Sequence, residues 1–202
     1  MYIILFLIII TSAVSVLAFN NYELFNKLKF NAYLVWNKKQ YLRLLSHALV
    51  HGSWMHLIVN MYVLWIFGEF VENAFIRIFP SGMFLFILMY LLSIPFSTLP
   101  ALLKNKNNHY YNAVGASGAV SAIVFTAILL QPKMSLFIIF IPIPIPAYIF
   151  GALYLTYSYF MSKRGKDGIA HDAHFAGSVF GFTFPIILNP ALFLNFIQQI
   201  IN

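Results

Sequence analysis

Ser117 lies in Gly115-Ala116-Ser117-Gly118 at the start of one apolar stretch, and His174 lies in Ala173-His174-Phe175-Ala176-Gly177 inside another. A third apolar stretch carries His56 and Asn60, four residues apart, a spacing that puts both on one face of a helix. Hydrocarbon offers no water to satisfy polar groups, so ionisable side chains at membrane depth are functional candidates. These residue types suit nucleophilic serine catalysis. A base must take the hydroxyl proton, donors must meet the developing oxyanion, and water must reach the site for deacylation. The reading that follows makes Ser117 the nucleophile and His174 the base. The oxyanion donors would be the Ser117 backbone N–H and the side chains of His56 and Asn60. Gly115-Ala116-Ser117-Gly118 predicts a helix N-terminus at the serine, whose free N–H groups favour negative charge.

Each of these residues also has a plainer role. Gly118 and Ala122 could form a small-residue packing seam around Ser117. His56 and Asn60 could bond neighbouring helices, as could His47 and His51, which share the same spacing just upstream. Gly177 and Gly181 share a face of the helix that carries His174, and a close approach there would bring His174 to Ser117. Zinc is the rival chemistry, since imidazole is a common ligand and Asp172 could add an oxygen. The chain has no His-Glu-x-x-His, and zinc does not require the Gly-Ala-Ser-Gly turn, so no metal is expected. Asp172 precedes His174 by two residues and is expected to cap or flank the helix start.

The elements that must position these residues are membrane spans. The chain has 202 residues, of which 61% are hydrophobic and 8% charged, against about 25% charged in a soluble domain. There is no cysteine, hence no disulfide. The net charge of +7 is spread over loop lysines and arginines, which suits membrane lipid headgroups and not nucleic acid. A span needs about 20 mostly apolar residues, and six segments are expected: 2–19, 54–71, 82–100, 115–131, 146–161 and 173–188. No basic residue precedes the first, so it reads as a retained span and not a cleaved leader. The connection 20–46 carries Lys27, Lys29, Lys38, Lys39 and Arg43 among apolar residues and reads as a structured interfacial loop. The third span is expected to end near Pro95 or Pro100. Ile141-Pro142-Ile143-Pro144-Ile145-Pro146 cannot continue a helix. Met134 to Ile143 therefore reads as an interfacial connector, with Pro146 in the first turn of the fifth span. A basic loop, Lys163 to Lys166, precedes the sixth span. There is no internal repeat, second domain or linker, so residues 1–202 read as one membrane domain.

The sequence resembles the rhomboid intramembrane serine proteases. The resemblance runs from Arg43 to Gly181, through His47-Ala48-Leu49-Val50-His51, Trp54-Met55-His56-Leu57-Ile58-Val59-Asn60-Met61, Gly68, Glu72, Gly115-Ala116-Ser117-Gly118 and Ala173-His174-Phe175-Ala176-Gly177-Ser178-Val179-Phe180-Gly181. His-xxx-Asn, Gly-x-Ser-Gly and Ala-His-xx-Gly, in that order on three spans, form a specific combination. The resemblance implies an all-α, polytopic bundle of six transmembrane helices. It implies a Ser117–His174 dyad without an acidic third member, and oxyanion donors His56 and Asn60. It gives Arg43 and Glu72 structural roles, bracing the first loop and the end of the second span. It implies single-span membrane proteins as substrates and no cofactor or metal. Two positions depart from it. Leu42-Arg43 stands where Trp-Arg is common, and Ser121 stands where many members place an aromatic that packs on the catalytic histidine.

Two functions follow as expectations: an intramembrane serine endopeptidase, or a silent chaperone or receptor on the same scaffold. Ten lysines and arginines on one side against two on the other would put the first loop in the cytoplasm. The resemblance implies the reverse, with the mouth of the site outside a plasma (inner) membrane, and that orientation is the expectation adopted.

Overall fold

A computed structural model describes residues 2–138, 141–164 and 169–202. Lys166 of the basic loop lies outside them. The first segment, α1 (Tyr2–Phe19), is one uninterrupted apolar helix. The first loop is mostly helical: α2 (Tyr22–Leu28), α3 (Ala32–Lys38), α4 (Arg43–Ser46) and a 3₁₀ turn at His47–Leu49. Four longer helices follow, α5 (Trp54–Ile78), α6 (Gly82–Asn105), α7 (Ser117–Leu130) and α8 (Ala147–Arg164). The chain closes with α9 (His171–Leu188) and α10 (Ala191–Ile201). Six of these helices occupy the six expected spans, and the fold is all-α.

Several boundaries differ from expectation. Helix α5 runs seven residues beyond Val71, to Ile78. Helix α6 does not stop at its prolines but passes through Pro95 and Pro100 to Asn105. Side-chain hydroxyls occupy carbonyls around these interruptions. Ser93 Oγ donates to Tyr90 O (2.7 Å), Ser97 Oγ to Ile94 O (2.8 Å), and Thr98 Oγ1 to Ile94 O and Pro95 O (3.2 and 3.1 Å). The Met134–Ile143 connector is not irregular throughout. Strands β3 (Ser135–Ile138) and β4 (Ile141–Pro146) pair antiparallel, with residues 139–140 outside the description. Pro146 ends β4 and so precedes α8. Backbone bonds fix that junction, from Ala147 N to Met134 O (2.9 Å) and from Tyr148 N to Pro132 O (3.0 Å). A second small sheet pairs β1 (Phe30–Asn31) with β2 (Asn112–Ala113), tying the first loop to the segment before α7.

Helices α5 and α6 are long and apolar enough to cross a membrane, and α9 with α10, bent by 114°, would make a third span if taken together. Helix α1 is apolar but shorter, as is α7. Large apolar side chains point outward on three of these elements, with Phe6, Leu17, Trp65 and Phe84 each more than half exposed. Such surface suits lipid rather than water. Helix α7 behaves differently. It is apolar on every side, as expected of a helix surrounded by protein, and eleven of its fourteen residues are buried.

The closest helix pair is α7 with α9. A Cβ added at Gly177 would strike the carbonyl of Gly118, and one at Gly181 would strike the backbone of Ala122. Thr126 Oγ1 crosses the same seam to Gly181 O at 2.7 Å. Glycine is required where two backbones touch. Elsewhere, Glu72 on α5 is 1% exposed. Its carboxylate accepts from Ile3 N and Ile4 N of α1 (3.3 and 3.1 Å), where a negative group offsets the helix dipole. Helix α5 continues past Glu72, so the residue braces the start of α1 rather than the end of its own helix.

Gly177→Val should therefore separate α9 from α7. Overpacking of a filled core typically costs about 1–3 kcal/mol, and here the obstacle is backbone, which cannot rotate aside. A lowered melting midpoint in mild detergent is the expected result. An unchanged midpoint would mean that α9 can shift without loss.

Candidate active site

Three elements converge on Ser117. The first is α7 itself, of which Ser117 is the first residue. Ala116 before it makes no side-chain cap, and the first intrahelical bond to this start comes from Val120 N to Ala116 O (2.9 Å). The N–H groups of Ser117, Gly118 and Ala119 therefore precede the helical ladder. The second element is α9, which brings His174 Nε2 to 2.8 Å from Ser117 Oγ. The third is the start of α5, which carries His56. A Cβ at Gly115 would lie 2.7 Å from His56 Nε2, so that imidazole covers the turn before the serine. Gly115 also has φ +108°, a left-handed conformation open to glycine and strained for other residues.

Asn60 is buried one turn along α5, and its Nδ2 donates to His56 O at 2.8 Å. One amide hydrogen is thus committed to its own helix and one remains. Asp172 lies within the first turn of α9, and its carboxylate accepts from Ala173 N at 2.9 Å. It serves the helix start.

The loop before α5 holds the strand of chain that leads to Ser117. Gly115 N donates to His47 O at 2.9 Å. Ala116 N donates to His51 Nε2 at 3.4 Å, and His51 Nδ1 is 2.9 Å from Ser15 Oγ. The direction of this chain can be derived. A backbone N–H only donates, so Nε2 accepts. The neutral ring then carries its hydrogen on Nδ1 and donates to Ser15, whose hydroxyl donates onward to Leu49 O at 2.9 Å. Each group has one role, and α1 is thereby linked to the residue before Ser117. His47 is turned the other way, with Nδ1 donating to Arg43 O at 3.0 Å. Arg43 Nη1 donates to Asn26 O and Lys29 O, both 2.7 Å, and its Nε to Gln40 Oε1 at 2.6 Å. The guanidinium thus gathers the carbonyl end of α2.

Ser15 carried no signal in the sequence beyond being a hydroxyl in an apolar segment. Tyr154 of α8 carries no local signal either, because tyrosine is common in this chain. Its ring stacks on His174, with centroids 6.3 Å apart and planes 20° apart.

Both ring nitrogens of His51 and Nδ1 of His47 are engaged by protein groups. Among the described residues no three His, Cys, Asp or Glu side chains form a metal-binding group.

A family model for the Rhomboid domain matches residues 38–191. The chain belongs to the rhomboid family. Comparison with curated proteins gives no match. The rhomboid match covers α5 to α9 and with them Ser117, His174, His56 and Asn60. It identifies the bundle as a polytopic, integral membrane fold. The family includes intramembrane proteases and inactive relatives, so membership alone leaves activity to be argued from the rhomboid site itself.

The buried histidines give this rhomboid domain a pH dependence. Burial lowers His47 to about 4. Burial, with a smaller contribution from His56, lowers His51 to about 3. In the unfolded chain both titrate near about 6.5. Below that pH the unfolded state takes up protons that the folded state refuses, so stability falls with pH until the folded histidines protonate. Each contributes a slope of about 1.4 kcal/mol per pH unit. The melting midpoint in mild detergent should drop from about pH 6.5 to about 4.5, and His51→Gln should show a shallower slope. A flat profile over that window would contradict the neutral, buried assignment.

Proposed function

We propose that this rhomboid is an active intramembrane serine endopeptidase that cuts single-span membrane proteins in or beside their transmembrane segment. The observation that carries this reading is the 2.8 Å contact between His174 Nε2 and Ser117 Oγ at the uncapped start of α7. Ser117 Oγ attacks the scissile carbonyl and its proton passes to His174 Nε2. The negative charge on the carbonyl oxygen is met by the Ser117 N–H and by His56 and Asn60. The amine departs with the proton from His174. Water, deprotonated by the same imidazole, then hydrolyses the acyl-serine. None of these steps requires a cofactor.

Helix length supports the intramembrane setting. Helix α7 has 14 residues, so it is about 21 Å long, some 9 Å less than a hydrocarbon core of about 30 Å. With its Leu130 end at one membrane face, the Ser117 end stands below the other, where a water-filled hollow can tolerate polar groups.

Purified Ser117→Ala should be folded and silent toward a co-expressed single-span substrate, and so should His174→Ala, because members of such a pair act as a unit. The parent should label with a fluorophosphonate at Ser117. Asn60→Ala should retain measurable turnover, lowered by about 10²–10³-fold if the amide is an oxyanion donor. Cleavage by Ser117→Ala at the parental rate would end the serine mechanism. A well-folded parent that neither labels nor cleaves would favour an inactive chaperone or receptor.

Orientation is part of the same reading. The mouth at Ser117 and the loop 106–114 face the extracytoplasmic side. Half of the opposing charge is carried by first-loop residues, among them Arg43, whose guanidinium is bonded within the fold. The chain has no cysteine, so a single cysteine at Asn107 should react with an impermeant maleimide in intact cells. Reaction only after membrane permeabilisation would invert the topology.

A further inference from the structure

The contact between Ser117 and His174 joins two helices, yet a third helix also touches the imidazole. Tyr154 projects from α8 with its ring stacked on His174, centroids 6.3 Å apart and planes inclined by 20°. Its hydroxyl lies 3.2 Å from Ser121 Oγ. Ser121 is buried and stands four residues after Ser117, hence on the same face of α7, one turn on. The Tyr154 ring is in turn backed by Phe150, stacked at 5.9 Å and 19°, and by Phe125 of α7 at 6.0 Å. Gly151 lets α8 come near α7, because a Cβ there would already be 3.2 Å from Ile128 Cδ1. One end of the tyrosine is therefore tied to the helix of the serine, and its face lies on the histidine.

We propose that Tyr154 and Ser121 are a positioning pair for His174. Ser121 anchors the Tyr154 hydroxyl, and the ring fixes the imidazole plane so that Nε2 stays directed at Ser117. This rests on the hydrolytic reading above. When Ser117 Oγ bonds to its electrophile, His174 takes the proton and becomes a cation. Rotational freedom of the ring is limited by the Ser121 bond, so the stack is formed before the charge appears. Tyr154 thus acts through His174, touching no reacting atom itself.

A hydrophobic fluorophosphonate reports this step directly. The Ser117 oxygen bonds to phosphorus, fluoride leaves, and the hydroxyl proton goes to His174. Its kinetics separate binding (KI) from the chemical step (kinact). Tyr154→Leu should lower kinact by about tenfold with KI unchanged, the size expected for loss of one aromatic stack. Tyr154→Phe keeps the ring and should recover most of the rate. Ser121→Ala should match Tyr154→Phe, and the double variant should be no slower than either, because both remove the same hydroxyl bond. Equal kinact for the parent and a folded Tyr154→Leu overturns the proposal while leaving the hydrolytic reading intact. Should Tyr154→Leu lose its melting transition, the Phe and Ala variants decide. A loss confined to KI, or losses that add in the double variant, also overturns it. A folded parent that fails to label removes the hydrolytic reading and this proposal together.

Discussion

The backbone contact between α7 and α9 is the constraint on which the rest depends. Ser117 and His174 are 57 residues apart and belong to helices that share no loop. They meet because the backbone of Gly118 lies against Gly177 and that of Ala122 against Gly181, with no α9 side chain between them. In lipid no hydrophobic force draws one apolar helix to another, so close van der Waals packing and interhelical hydrogen bonds must do so. The glycines allow the packing, and Thr126 adds the bond to Gly181 O. Helix α7 can be apolar all round because α5, α6, α8, α9 and α10 surround it.

A second layer of constraint comes from the first loop, which is an ordered scaffold built from polar contacts. Arg43 and Ser46 close the carbonyl end of α2. Asn31 caps α3 and also donates to His109 O and Asn112 Oδ1. His47 and His51 then reach the backbone of Gly115 and Ala116. The turn before Ser117 is thereby held from the loop side, while α9 holds the helix that follows. His51 fits this role only as a neutral ring with its hydrogen on Nδ1, and complete burial keeps it neutral.

Polar groups away from the site obey the same accounting. Buried backbone groups without water need partners, and the hydroxyls of α6 attend the carbonyls beside Pro95. Glu72 meets the free N–H groups of α1. Glu72, an otherwise costly residue inside an apolar helix, is thus explained by backbone groups that α1 alone cannot satisfy.

The sequence by itself determined the class of the protein and singled out Ser117, His174, His56 and Asn60 as the candidate site. Long apolar runs with few charges read as membrane helices, and the end of α9 at Leu188 followed from local turn chemistry, while α7 starts at Ser117, two residues after the expected Gly115. The role of the paired glycines was legible because small residues at helical spacing mark close packing. Other features depended on contacts between distant segments. Pro95 and Pro100 read as stops, since a local rule counts the lost bonds but not the packing of α6 on α5, α7 and α9. The pairing of β3 with β4 was hidden because its prolines argue against helix without specifying a partner. Ser15 and Tyr154 were invisible as site neighbours. Nothing local distinguishes one hydroxyl or one ring among many, and only the packing of α1 on the first loop and of α8 on α7 gives them a histidine to hold.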